Sequence, residues 1–410
     1  MKWVVFLAWY PEIDKVIRST DYKPLYIIDK KLGKSRFEKE VDECRNSKSE
    51  YIIVDDLNNL NCVYSLASLL MYDKHDYIDI ISVNERTQLA GAILIYNLIG
   101  DSDRANLLFI TRDKRMMKEK LAGVVQTASY KSLQYSTFPL EKSSSEIQWP
   151  KVLKPVNGEG SLGTELIKDN DSYNLLVDNL NECFYNQVIE DYNEGDEHNV
   201  DCIVRDGKII YLFIGRYIVP RLKGYYNKTN KVTLYLPYDH YSDLYAKVEF
   251  VFNNILKTIG LRNGISHAEC FIKNDKLVLG EIASRHAGGA MSDCVKHLVG
   301  ESLLELGLRA RLGCISLSPA QRHPYKDFIG FIDLRPEEAG TIVELSTPEE
   351  LKSVPGVLEV IYRLKIGDRV GNYERNNWCV MVVVKQKTEK EFYTTLDVLK
   401  HKFRCAVTNT

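Results

Sequence analysis

A mixed α/β fold that opens with a doubly wound parallel sheet follows from three observations on the 410-residue sequence. Its first hundred residues alternate short apolar runs with segments whose apolar residues recur every three or four positions. Its middle third carries extended stretches broken by glycine-rich or acidic turns, the mark of hairpins. Its last eighty-odd residues alternate strand and helix patterns again, so the later parts have α+β character.

Taken in order, 3–9, 25–28, 51–54 and 78–83 read as buried strands. Segments 59–72 and 85–98 read as the helices between them, which predicts a parallel sheet wound on both faces. Glu85 falls where the fourth strand gives way to a helix. A carboxylate favoured by the helix dipole is the preferred account of it, and a place on the substrate side is the alternative. Residues 113–123 read as a helix, 141–146 as a serine-rich loop and 172–180 as a helix. A hairpin over 201–219 turns at Asp206-Gly207. The polar stretch 224–230 reads as a loop, either a cover for substrates or plain surface. Long amphipathic helices are expected over 241–259 and 302–312. In the tail, 328–334, 357–364 and 379–384 read as strands, with helices over 348–352 and 389–402.

Composition narrows the function classes. Apolar residues make up 45% and charged residues 27%, ordinary for a globular protein with a large core. A net charge of −2 argues against nucleic acid as a partner, which would call for a basic face. Nine cysteines without a CxxC pair suit neither a zinc site nor a disulfide scaffold, and point to a reducing, cytoplasmic setting. The apolar start is too short for a secretory signal and lacks a small-residue cleavage site. No run approaches the ~18 apolar residues of a membrane span, so no membrane partner is expected.

Three motifs carry chemistry. The first, GISHAECFIKNDKLVLGEIASRHAGG from Gly264 to Gly289, reads as a hairpin turning at Asn274-Asp275-Lys276. A hairpin of this length can set Glu269 beside Glu281, and two close carboxylates repel unless a cation neutralises them. Hard divalent cations take such oxygens and then hold phosphates. Arg285 adds a guanidinium suited to a carboxylate or a phosphoryl group, next to a small-residue run that includes Gly288 and Gly289. The second motif, WPKVLKPVNGEGSLGT, places Lys154 on a strand before a loop with Gly158, Gly160, Ser161 and Gly163. Glycines let backbone N–H groups face an anion, so the composition is that of a phosphate cradle. The third, QVIEDYNEGDEHNVD, ends a strand in Glu190-Asp191 and turns through Tyr192-Asn193 to Glu197. Carboxylates there can accept bonds from a nucleobase amino group or from ribose hydroxyls.

In this order the motifs resemble the ATP-grasp carboxylate–amine ligases. Asp113-Lys114, ahead of a helical stretch, matches a further element of that pattern. The resemblance spans roughly 80–315 and implies an ATP-grasp fold. Its parts would be an N-terminal α/β domain at 1–112, a small nucleotide-covering subdomain at 113–205 and a catalytic subdomain at 206–325. A C-terminal subdomain at 326–410 would pack on the catalytic one. It implies ATP and Mg²⁺ (or Mn²⁺) as cofactors. Lys114 and Lys154 would contact phosphates, with Gly158, Gly160, Ser161 and Gly163 closing over them. Glu190 would meet the adenine amino group, Tyr192 and Asn193 would lie beside the ring, and Glu197 would hold the ribose. Glu269 and Glu281 would hold the metal, and Arg285 and Lys154 would act in catalysis. The EIASR…GG form resembles the L-amino acid ligases, which join amino acids into dipeptides. Within that subset His267, Arg285, Gly288 and Gly289 would meet the substrate. Ala283 stands where many members carry an asparagine that ligates the metal. The resemblance leaves two alternatives open: transfer to a carrier-protein thiol, and an ATP-binding regulator without turnover. A homodimer is common in the family.

Overall fold

The computed structural model describes residues 1–73, 75–132, 148–178, 186–274, 276–315, 325–336, 338–371 and 378–408. The expected loop at 141–146, the last two residues of the expected helix 172–180, and Asp275 of the expected turn lie outside them. Helix Asn170–Asp178 covers the rest of that segment.

The N-terminal sheet is four-stranded, in the order Glu50–Val54, Lys23–Asp29, Lys2–Phe6, Asp76–Ile81. All its pairs are parallel. Strand side chains alternate between faces, so Trp3, Val5 and Leu7 enter one core while Val4, Phe6 and Ala8 enter another. Both faces are therefore wound. Helices Leu60–Asp73 and Ser102–Arg112 cover the first face. Helix Pro11–Ile17 covers the second, together with Leu304 and Leu308 of the distant helix Leu303–Leu312. That late helix fastens the catalytic region to the N-terminal sheet.

The largest element is a nine-stranded sheet. Its strands run in the order 357–362, 380–386, 328–334, 232–235, 208–217, 196–205, 264–273, 276–283, 126–127. Helix Tyr238–Ile259 lays Tyr245, Val248, Phe252, Ile255, Leu256 and Ile259 against one face. Their three- and four-residue spacing is one stripe of a helix. Helix Glu389–Lys402 lies on the same core through Phe392, Leu396 and Leu399. Along strand Gly264–Lys273, Ala268 and Cys270 join that core, while His267, Glu269 and Phe271 face a cavity. The small sheet, Tyr130–Ser132, Gln187–Asp191, Lys151–Pro155 and Glu165–Ile167, is antiparallel. A three-stranded sheet forms from Arg369–Val370, Gly340–Leu345 and Cys405–Thr408.

Several elements differ from the sequence reading. The expected helix 85–98 is a 3₁₀ turn Glu85–Thr87, an α-helix Gln88–Leu94 and a π-turn Ile95–Ile99, closed by left-handed Gly100. Helix Ser102–Arg112, which periodicity did not single out, starts at Asp101, whose carboxylate accepts from the Arg104 N–H. The stretch 224–230 is not all loop: helix Arg221–Tyr226 takes its first three residues. Strand Asp196–Arg205, assigned to the small subdomain from sequence, pairs within the large sheet, and so does Gln126–Thr127. The tail strands 328–334, 357–362 and 380–386 extend that same sheet. Among the described residues no helix is long and apolar enough to cross a membrane.

Close approach fixes one glycine in this sheet. A Cβ at Gly330 would lie 2.1 Å from the Thr233 carbonyl oxygen and 2.8 Å from the Phe392 ring. Neither neighbour can yield without moving the sheet or the helix on it. Gly330→Ala should therefore lower stability by about 1–3 kcal/mol through overpacking, read as an earlier urea midpoint with intact helix content.

Candidate active site

One cavity of about 600 Å³ opens between the small sheet, the large sheet and the N-terminal strand ends. It is lined by Lys114, Lys154, Gly158, Gly160, Ser161, Glu190, Tyr192, Asn193, Glu197, His267, Glu269, Glu281, Arg285, Gly288 and Gly289. Of the residues given a binding or catalytic role from sequence, Gly163 alone does not line it. A Cβ at Gly163 would lie 2.9 Å from Pro155 Cγ, and its φ is +70°. Gly163 serves the turn that folds the loop back on Pro155.

The hairpin sets the charge pattern. Glu269 and Glu281 are register partners across strands Gly264–Lys273 and Lys276–Ala283, so their side chains share a face. Lys114 Nζ lies 3.3 Å from Glu281 Oε2. Burial pushes the Glu281 carboxyl up, but Lys114, Lys154 and Arg285 overcome it and hold it at about 2. Glu269 accepts from the Tyr217 hydroxyl at 2.9 Å. Glu197 is pushed the other way, to about 8, by burial and the nearby Glu269 charge, against the Arg221 N–H that donates to it at 2.6 Å.

At the small-sheet end, Lys154 Nζ meets Glu190 Oε2 at 2.8 Å and Lys118 Nζ meets Oε1 at 3.4 Å. Both Glu190 oxygens, given from sequence to the adenine amino group, thus face lysines. Burial lowers Lys118, while Glu190 outweighs burial at Lys154 and raises it. The Gly158 carbonyl faces Lys114 Nζ at 3.3 Å and Arg112 Nη1 at 3.4 Å.

At the opposite end Glu85 bridges two guanidiniums. Arg112 Nη1 lies 2.8 Å from Oε1, and Arg285 Nε donates to Oε2. Glu85 stands in the first turn of Glu85–Thr87, as the preferred sequence account has it, and it also lines the cavity. His267 Nδ1 lies 2.8 Å from Asp201 Oδ1, and Asp201 is fully buried, also held by Asn199 and the Tyr235 hydroxyl. That contact turns the other ring nitrogen away from Asp201. His286 is pushed down to about 3 by burial first, then by Arg285 and His267.

Sequence reasoning missed Arg221, Lys231, Asp333 and His286, which also line the cavity. Arg221 stacks over Tyr217 at 4.1 Å from the ring centroid. Burial, then Arg221, pushes Lys231 down to about 8. Arg221, Lys231 and Asp333 belong to no spaced motif, and only the sheet order brings them in, whereas His286 lies inside the first motif. The Arg285-His286 dipeptide was the one visible cue.

The residues fit ATP and Mg²⁺. Among the described residues no group of three or more His, Cys, Asp or Glu gathers as a metal cage. Mg²⁺ needs none, since it takes one or two carboxylates and completes its shell with phosphate and water. The lysine pair and the glycine loop face the same cavity as those carboxylates.

Comparison with known proteins matches an ATP-grasp domain to residues 147–293. The L-amino acid ligase C-terminal domain 2 matches residues 334–407. The L-arginine-specific L-amino acid ligase of Bacillus subtilis is 26% identical over 336 residues, 80% of this chain and 79% of its own length. Dapdiamide A synthase of Enterobacter agglomerans is 23% identical over 291 residues, 65% of either chain. The fold matches L-amino acid ligase from Bacillus licheniformis with a TM-score of 0.77 at 14% identity, over 100% of this chain and 99% of the other. It matches biotin carboxylase from Campylobacter jejuni at 0.65 and 12% identity, over 98% and 92%.

The Glu197 environment predicts a pH signature. Its folded pKa of about 8 lies above its unfolded value, so the folded state holds a proton the unfolded state has released. Stability of the metal-free protein should therefore fall as pH rises from about 4.5 to about 8. Glu197→Gln should flatten that slope in urea melts across the window. An unchanged slope would assign it to other groups.

Proposed function

We propose that this chain is an ATP-dependent carboxylate–amine ligase that activates an L-amino acid as an acyl phosphate and joins it to a second amino acid. The observation that carries this is the register-paired Glu269 and Glu281 under Lys114, Lys154 and Arg285, in one cavity with the glycine loop. The two relatives are named as a ligase of amino acids and a dapdiamide synthase, which supports the reading.

In this reading Lys114 and Lys154 hold ATP phosphates, with the 158–163 loop over them. Glu190 orients Lys154, and the Tyr192–Asn193 backbone lies beside the adenine ring. Glu197 holds the ribose. Mg²⁺ or Mn²⁺ on Glu269 and Glu281 supplies neutralisation of the charge that develops on the phosphoryl oxygens. A substrate carboxylate oxygen attacks the γ-phosphorus, the bond to the β-phosphate oxygen breaks, and ADP departs. Such transfers depend on positioning and charge neutralisation more than on covalent work by the protein. Arg285 exchanges its Glu85 partner for the substrate carboxylate or the phosphoryl group. The second amine then attacks the acyl carbon, phosphate leaves and an amide remains. Arg285 and the N–H groups near Gly288–Gly289 stabilise the oxyanion of that step. The small sheet and its loop exclude water, which would hydrolyse the acyl phosphate. We place the nucleotide-covering unit at 130–191, the span of the small sheet, and the catalytic unit on the large sheet.

Phosphate release from ATP and Mg²⁺ across single and paired L-amino acids, with product masses, tests the reading. A mass equal to two amino acids less water is expected. Release with one amino acid alone and no condensed product would overturn the amine acceptor. Arg285→Ala should fold and lose roughly 10²–10³ in kcat, the size of one lost transition-state contact; near-normal turnover would remove Arg285 from the chemistry. Glu281→Gln should shift the Mg²⁺ titration to higher concentration and lower the plateau rate, and an unmoved titration would take it out of the metal site.

A further inference from the structure

We propose that the amino acid this cavity selects by its side chain is neutral and apolar, seated on Met291, Phe331, Trp378 and Met381, and that arginine and lysine are excluded. The inference rests on the ligase reading above and adds the substrate class to it.

The wall is continuous with the loop that carries Arg285. Met381 is the register partner of Asp333, and Phe331 lies two residues from Asp333 on the same sheet face. Cavity-lining Gly289 abuts both: its Cβ would sit 3.4 Å from Phe331 Cζ and 3.7 Å from Met381 Cε. Met291 opens the next helix, Met291–Val299, and Trp378 precedes strand Val380–Gln386. All four line the cavity. Burying an apolar side chain there gains the ordinary hydrophobic term without a partner to satisfy.

Among the described residues, a cationic side chain would find no open anion at this end. Glu85 keeps Arg112 on Oε1 when Arg285 turns from it to the substrate, so its charge stays paired. Asp333 accepts from the Lys231 N–H through Oδ1 and from Arg335 through Oδ2. Asp293, a carboxylate of the same region, does not line the cavity. The charges an entering guanidinium would meet are Arg285 and Arg363, the latter 5.6 Å over the Trp378 ring. Burying an unpaired cation beside them is costly.

The remaining neutral group favours an oxygen. Arg36 donates to the Tyr10 hydroxyl at 2.6 Å, and Arg36 has no acceptor to offer. The Tyr10 hydrogen therefore goes to Asn84 Oδ1, 2.7 Å away. That fixes Asn84 Oδ1 on the Tyr10 side, and its Nδ2 is buried without a hydrogen-bond partner. Asn84 and Tyr10 both line the cavity. An oxygen of the substrate that reaches this donor would satisfy it, and a guanidinium or ammonium would not.

The relative from Bacillus subtilis is named for L-arginine, so this inference separates the chain from it. The test is phosphate release by the purified full chain with ATP and Mg²⁺ over all pairs of L-amino acids. Pairs containing methionine, leucine, isoleucine, valine or phenylalanine should exceed those whose selected member is arginine or lysine by at least about tenfold, the usual size of apolar-pocket discrimination. Arginine or lysine as the preferred substrate would overturn the inference and leave the ligase reading standing. Silence with every pair would overturn the ligase reading and this inference with it. Trp378→Ala should raise KM for the apolar amino acid about tenfold and leave KM for ATP within about twofold, while Met381→Leu should retain both. A parallel rise in both KM values for Trp378→Ala would make the wall merely structural and overturn the assignment.

Discussion

The repulsion between Glu269 and Glu281, and its neutralisation, organises this molecule. Two carboxylates on one face of a hairpin are stable only when cations surround them. Here the cations come from three separate parts of the chain. Lys114 starts a helix ahead of the small sheet, Lys154 sits on that sheet, and Arg285 follows the hairpin. Each part is therefore drawn toward one point, and the cavity is where they meet. The same charges that hold Glu281 ionised without a metal are those suited to phosphate when a nucleotide enters.

Around that point the ionisable groups are sorted by partner. Glu190 pairs with lysines, Glu85 and Asp333 with arginines, and Glu197 is left with an amide donor and a neighbouring carboxylate. Burial acts on all of them, and the partner decides the outcome. Glu281 is held down and Glu197 is pushed up though both line one cavity. Among the described residues this sorting also leaves the far end of the cavity with an apolar wall and its carboxylates paired.

Much of the fold was legible because it rests on local rules. Periodicity located the parallel strands near 2–6, 23–29, 50–54 and 76–81, and placed helices 348–352 and 389–402 where they occur. Thr347 and Thr388 form capping boxes with Glu350 and Glu391, the local signals that start those helices. The hairpin was readable from strand period and turn, but the pairing of Glu269 with Glu281 rests on a bulge beside Gly280, since the unbroken register from Lys273 and Lys276 would set Glu269 opposite Gly280. Periodicity failed at 85–99, where the chain changes helix type twice, and at Arg221–Tyr226, whose polar sequence carries no apolar stripe.

By itself the sequence determined the residue types at the site and their order along the chain, while the bulge in the hairpin set the two carboxylates opposite each other. Tertiary structure alone decided their partners. Glu85 meets Arg285 across 200 positions, Lys154 meets Glu190 across the small sheet, and Asp201 holds His267 from the neighbouring strand. It also decided that Asp196–Arg205 and the tail strands share one sheet with the hairpin. The physical reason is that ion pairs and sheet order depend on which segments pack together. Packing is chosen by the whole apolar surface of the chain and not by any local stretch of it.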